Sequence, residues 1–283
     1  MEILERTPYA YRTSFPLDEA RVRLPDGEEV VVLLKGLDRD RLDEATRRAK
    51  PAFVHDPRRE RVVYEEVLPG LGLGTARYFG AVAVPGGGVA IALEKVAAVE
   101  LWQLGELEAW EGAARWAARL HRVAPAHARP SLLHYDATYF RGWLERASSF
   151  RGETVAQLAP AHERALGRLV HLPRSFVHGE LYASNVLVGS DRVCPIDWEM
   201  AGLGAAVLDL AALATSWPGG ERERLVAAYA NERGTPVEDA DLDAARLVLA
   251  VQWLGWSRDW GAPPEHATDW FAEAEDAARR FAS

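Results

Sequence analysis

The stretch HGELYASNVLV, His178 to Val188, places a carboxylate and an amide five residues apart, Glu180 and Asn185, and VCPIDWE sets a second carboxylate, Asp197, twelve residues after Asn185. Carboxylate and amide oxygens are hard ligands suited to Mg²⁺, which is usually held by one or two such groups with substrate phosphates and water completing the shell. With Asn185 and Asp197 on an ion, Glu180 is a third oxygen group able to orient a hydroxyl for attack. A plainer reading has Asn185 turn the chain and Asp197 cap the next segment. Spacing alone leaves both open.

These residues need a scaffold that makes a loop and a strand end converge. SFVHGE and NVLVGSDRVCPIDWE read as short strands flanking the loop. Upstream, YRTSFPLDEARVRL and EEVVVLLKGL flank the turn residues PDG and predict a hairpin between Tyr11 and Gly36. RRERVVYEEVL places Val62, Val63 and Val67 among charges at helical spacing, and PGLGLG ends that helix. TARYFGAVAV, PGGG and VAIALEKV predict a further strand, turn and strand. After Ala97 the chain turns to Ala-, Leu- and Trp-rich helical patterns, which resume after IDWE and run to the end. The expected architecture is α+β and two-lobed: residues 1–94 a small antiparallel sheet with one helix, 95–97 a link, and 98–283 a large, mainly helical lobe. The cleft between lobes is the natural ligand site.

Composition narrows the function. With 283 residues the chain can bury sizeable cores without staples. Cys194 is the single cysteine, which excludes an internal disulfide and a zinc site built on two thiolates. The net charge of −9 is the wrong sign for wrapping nucleic acid. No apolar run approaches the roughly 18 residues of a membrane span, and the start shows no secretory signal, so the expected location is cytoplasmic. From Ala205 onward 14 acidic residues face 7 Arg and no Lys. That excess reads either as solvated helix faces or as an acidic wall attracting a cationic substrate. HGE lacks the paired downstream cysteines of a zinc deaminase, and neither a dinucleotide fingerprint nor a Walker-type phosphate loop is present. His55, His127 and His266 read as surface or loop residues, and His121 and His178 as structural hydrogen-bonders.

HGE-x4-N followed by IDWE resembles the aminoglycoside phosphotransferase and choline-kinase-like family, whose loop reads H-G-D-x4-N and whose metal motif reads I-D-W/F-E. VVVLLKG, LEKV, ARWAARLH and GLGAAVLDLAAL extend the likeness over most of the chain. The resemblance implies a protein-kinase-like fold and Mg²⁺-dependent transfer of the γ-phosphate of ATP, or GTP, to a hydroxyl. It implies that Lys35 contacts the α and β phosphates and that Glu60 pairs with it, with Glu65 and Glu66 as competitors on the same helix. Asn185 and Asp197 would be the metal ligands, and backbone groups from Glu94 to Val96 the purine hinge. Ser14, in RTSFP, would reach phosphate. Glu180 stands where the family has the aspartate base, one methylene longer.

The acceptor falls to the last third of the chain. VQWLGWSRDW sets Trp253, Trp256 and Trp260 at i, i+3 and i+7, one helical stripe that is either core or an aromatic wall, with Asp259, Glu265 and Asp269 near its rim. Tyr182 lies inside the catalytic loop as a further acceptor contact. An aminoglycoside, another amino sugar or a related amine is the expected acceptor, with a peptide side chain as an alternative. The protein is expected to be a monomer or homodimer. A nucleotide-binding module without transfer, or a purely structural protein, are the readings outside catalysis.

Overall fold

The structure, a computed structural model, describes residues 1–9, 15–42, 44–83, 88–123, 129–215, 217–256 and 267–282. The N-terminal part is a five-stranded antiparallel sheet of β1 (Glu2–Pro8), β2 (Leu17–Arg23), β3 (Glu29–Gly36), β4 (Tyr78–Ala83) and β5 (Val89–Glu94), in the order β1-β2-β3-β5-β4. The β2–β3 hairpin turns at Gly27, whose φ of 90° suits glycine. Strand alternation then decides where Lys35 points. Val32 and Leu34 face a small core with Ala20, Val22, Ala90 and Ala92. Lys35 sits opposite Ile91 in register, so it shares the other face with Ile91 and Leu93, which belong to the main core.

Between β3 and β4 lie a 3₁₀ turn (Arg39–Arg41), α1 (Glu44–Ala49), a second 3₁₀ turn (Ala52–Val54) and α2 (Arg59–Val62), which widens into a π-turn over Val63–Val67. Val63, Tyr64 and Val67 are buried, so the helix predicted over RRERVVYEEVL is present. The turns and α1 before it carry no apolar period and were not expected. Nor was β1, an edge strand whose outer residues are tied to β2 by Arg6–Asp18 and Arg23–Glu2 ion pairs instead of a buried apolar row.

Past Glu94 the chain reaches β6 (Val99–Glu100), which pairs with β9 of the C-terminal part. There follow α3 (Leu107–Leu120), β7 (Leu133–His134), α4 (Ala137–Arg151), α5 (Glu153–Ala156), α6 (Ala159–Leu169), β8 (Arg174–Val177), β9 (Val186–Val188), β10 (Val193–Pro195), β11 (Gly202–Ala205), α7 (Val207–Ala214), α8 (Gly219–Arg233), α9 (Asp239–Trp256) and α10 (Trp270–Ala282). Two three-stranded sheets, β10-β9-β6 and β7-β11-β8, bracket the HGE loop. Of these strands, β6, β7 and β11 were not expected: two to four residues are too few to carry a period.

α9 is the spine of this part, packed against α4, α6, α7 and α10 and buried almost throughout. α10 is held to it by Arg246, 3 % exposed, which binds Asp243, Glu273 and Asp276 at 2.6, 2.7 and 2.9 Å. Among the described residues no helix is long and apolar enough to cross a membrane.

Candidate active site

The β9–β10 hairpin explains the spacing of twelve. Val186 pairs with Pro195, so Asn185, just before β9, and Asp197, just after β10, emerge side by side, and the Ile196 amide donates to the Asn185 carbonyl at 2.9 Å. Asp197 has φ 64° and ψ 65°, the one left-handed non-glycine among the described residues. Such a conformation persists only where its surroundings enforce it. Here the enforcement is Trp198, fully buried and stacked on Phe176 at 5.9 Å with His178 at 4.5 Å.

The HGE loop is fixed by a buried acid that the sequence reading left unassigned. Asp209, on α7, accepts from the His178 and Gly179 amides at 2.7 and 2.8 Å, and its carboxylate lies 3.0 Å from His121 Nε2. Burial opposes its charge, but His121 and then His178 together outweigh that and hold its pKa below the ordinary carboxylate value. His121 also contacts the Tyr229 hydroxyl, and His178 Nε2 the Ile196 carbonyl at 2.9 Å, so both histidines have hydrogen-bonding roles. Gly179 has φ 86°, and a Cβ there would meet Tyr135 Oη at 2.0 Å and the Met200 carbonyl oxygen at 2.3 Å. Only glycine fits. Asn185 Nδ2 donates to the Glu180 carbonyl at 3.0 Å, closing the loop.

Lys35 Nζ lies 2.6 Å from Asp197 Oδ1 and 2.7 Å from Glu60 Oε2. The Asp197 contact is a hydrogen bond. The Glu60 contact is an ion pair with poor hydrogen-bond geometry, and Glu60 Oε1 is buried without a partner. Glu65 and Glu66 pair instead with Arg61 and Arg129. Burial lowers the pKa of Lys35, but Asp197, Glu60 and Glu199 outweigh it and hold it above the ordinary lysine value. Burial pushes Glu60 up to about 7 against the pull of Lys35. Burial also opposes charge on Asp197, yet Lys35 and then Lys50 keep it below the ordinary range. Burial, then the Glu199 carboxylate, raise Glu180 to about 8, with Lys50 and more weakly Lys35 opposing.

Lys50, Phe15 and Glu199 complete this cluster. Lys50 is 4 % exposed, ion-paired to Glu199 and 4.7 Å from the Phe15 ring centroid. His55, half-buried, stacks on the same ring. Glu199 stood inside the IDWE motif, but Lys50 precedes α2 in a segment without period, so no sequence signal pointed to it. Arg59 is buried beside Glu60 and donates to the carbonyls of Val54, Ser131 and Glu199, at 2.6, 2.7 and 2.6 Å.

The remaining expected residues are more scattered. The Glu94 amide donates to the Arg77 carbonyl and its side chain binds Arg192, while Val96 packs on the main core. Tyr182 Oη accepts from Trp253 Nε1 at 2.5 Å, and Trp270 stacks on Trp253 at 5.3 Å. Trp256, for which core and acceptor wall were both open, is only 7 % exposed and packs on Trp143 at 5.2 Å, so it belongs to the core and not to an acceptor wall. Of the two readings of the acidic surplus, the described residues follow the helix-face one: Glu232, Asp241, Asp243, Glu273 and Asp276 are engaged by arginines on the helical faces, and Asp269 accepts from the Ala272 amide at the start of α10. Arg12, Ser14, His127, Asp259, Trp260, Glu265 and His266 lie outside the described residues.

Residues 71–248 match the pattern of the phosphotransferase enzyme family. Among curated proteins no sequence matches. Among solved structures, the choline kinase LicA from Streptococcus pneumoniae is similar with a TM-score of 0.67 and 16 % identity, covering 100 % of this chain and 94 % of that one. The macrolide 2'-phosphotransferase MphH from Brachybacterium faecium gives 0.62 and 18 %, covering 98 % and 91 %. The aminoglycoside phosphotransferase APH(3'')-Id from Streptomyces rimosus, in complex with ADP and streptomycin, gives 0.59 and 16 %, covering 90 % and 93 %. The architecture is the protein-kinase-like α+β fold that these enzymes share.

Proposed function

Because the chain belongs to the phosphotransferase enzyme family, we propose that it moves the γ-phosphate of ATP to a hydroxyl of a small molecule, with Glu180 as base. The observation that carries this reading is the convergence of Lys35, Glu60 and Asp197 within 2.7 Å contacts beside a loop bearing Glu180 and Asn185. In this reading residues 1–94 hold the nucleotide, 95–97 form its hinge, and 98–283 supply catalysis and the acceptor site. The AMP and ADP in related structures favour adenine over guanine.

The donor set suits Mg²⁺. Asn185 has its amide nitrogen committed to Glu180, which leaves its oxygen as a donor atom, and with Asp197 it offers two oxygen ligands, the number that magnesium takes alongside phosphates. Bound there, the ion would neutralise charge on the transferring phosphoryl group. The chain's own part is to position: Lys35 holds the nucleotide phosphates, and Glu180 orients the acceptor hydroxyl and takes its proton as that oxygen bonds to the γ-phosphorus. The bond from the γ-phosphorus to its bridging oxygen breaks, and ADP leaves with the electron pair.

The acceptor would lie against the half-buried rings of Tyr182, Trp253 and Trp270, whose faces suit a sugar or an amine. A hydroxylated amine or amino sugar is therefore the proposed class. Thermal unfolding with ATP and Mg²⁺ tests the site: the wild type should be stabilised and Asp197→Ala should not. Equal shifts in both overturn the assignment. A transfer screen over aminoglycosides, amino sugars and amino alcohols then seeks the acceptor, and Glu180→Gln should keep nucleotide affinity while transfer falls roughly a hundredfold or more.

A further inference from the structure

Two ammonium groups, not one, reach this site, one half-buried and one buried. Lys35 comes from the sheet, and Lys50 from the segment between α1 and α2. Both face the ring of Phe15, at 5.9 and 4.7 Å from its centroid. Their partners are neighbours in the chain: Lys35 bonds Asp197 and Lys50 is ion-paired to Glu199, two residues further on. The two ammonium groups thus serve adjacent carboxylates around one aromatic ring.

The Lys50 segment is anchored for such a role. Arg39 donates to the Lys50 carbonyl at 2.6 Å, Arg146 of α4 binds the carbonyls of Arg48 and Gly255 at 2.8 and 2.9 Å, and Arg59 binds that of Val54. Phe53, 52 % exposed, lies edge-on to Trp143 at 5.2 Å. The segment therefore ties the turn after β3 to the helical part. An ammonium has three N–H donors. Glu199 engages one and the Phe15 face lies on another side, which leaves donor capacity for an anion.

We propose that Lys50 is a second phosphate-binding cation of the site, contacting the γ-phosphoryl group of the bound nucleotide where Lys35 holds the inner phosphates. The proposal rests on the phosphotransferase reading. It predicts a contact made with ATP and absent with ADP, because only ATP carries the terminal phosphate. A structural lysine that merely holds Glu199 would move both affinities together.

Calorimetric binding of ATP and of ADP, each with Mg²⁺, to the wild type, Lys50→Gln and Lys50→Arg separates these cases. The expected result is an affinity for ATP reduced about ten- to hundredfold in Lys50→Gln, the range of a charge-assisted hydrogen bond, with ADP affinity changed less than about twofold. Lys50→Arg, which keeps the charge and the pairing with Glu199, should recover most of the ATP affinity and guards against a folding defect in the first variant. Equal losses for both nucleotides, or no loss for either, overturn the role of Lys50 while leaving the site intact. A wild type that binds neither nucleotide overturns the phosphotransferase reading itself.

Discussion

Replacing Asp209 by asparagine should loosen the HGE loop at a single buried point. Asp209 Oδ2 and Oδ1 each accept one loop amide, from His178 at 2.7 Å and Gly179 at 2.8 Å. An asparagine in the same pose must present its NH₂ to one of those N–H groups whichever way the amide is turned. His121 can change tautomer to suit, but a backbone N–H cannot. One buried donor is therefore orphaned, costing about 1–3 kcal/mol, and the other bond loses its charge assistance, worth about 1 kcal/mol more. The total is about 3 kcal/mol, or a fall of roughly 6 °C in melting temperature for a chain of this size. Differential scanning calorimetry at pH 7 measures it. The sign with pH also follows: the pKa of Asp209 is depressed in the fold, so its stabilisation is complete above the ordinary carboxyl value of 3.8 and is lost as pH falls through the lower folded value. The gap between wild type and variant should thus stay constant from pH 7 to 5 and narrow below 4. A fall under 2 °C at pH 7 would refute the assignment of Asp209 as the anchor of the loop.

Gly179→Ala should be worse for function than for folding. The added Cβ needs more than 1 Å of relief from Tyr135 Oη and the Met200 carbonyl oxygen, and a displacement of that size beside Glu180 costs about a hundredfold in rate, read as turnover once an acceptor is found. His162 is fully buried with neither ring nitrogen partnered, and burial pushes its pKa down to about 4 from the ordinary 6.5. The folded state resists its protonation, so stability should fall by about 3 kcal/mol as pH drops from 6.5 to 4. His162→Phe should remove that slope in urea titrations across this range, and an unchanged slope would show the histidine to be solvated. Tyr182→Phe deletes the acceptor of the Trp253 N–H while keeping the ring contacts. It should shift the acceptor KM more than the ATP KM in steady-state kinetics, and the opposite ranking would move the acceptor elsewhere.

Much of the site could be read without coordinates because it is local in the chain. Glu180 and Asn185 share one loop, Asp197 ends the next hairpin, and the β2–β3 and β4–β5 pairs follow from turn residues and alternation, which also fix the face that Lys35 occupies. Which of Glu60, Glu65 and Glu66 would meet Lys35 was open, because all three ride on one helical segment whose rotation relative to the sheet is set by Val63, Tyr64 and Val67 packing into the main core.

What only the tertiary structure decided are the contacts between residues far apart in sequence and unmarked by any period. Asp209 lies about thirty residues from the amides that it holds, and its role needs α7 to end up beneath the loop. Lys50 comes from a polar stretch with no pattern and meets Glu199 across 149 positions. The acidic surplus of the last third was visible in the composition, but its direction was not: Arg246, Arg168 and Arg119 draw much of it into helix contacts. Trp256 and Trp253 stand on the same stripe, and packing against Trp143 is what turns one into core and leaves the other beside Tyr182. A sequence states which groups are present and which neighbours along the chain share a face. Long-range packing, where burial and charge must be satisfied together, decides which of them meet.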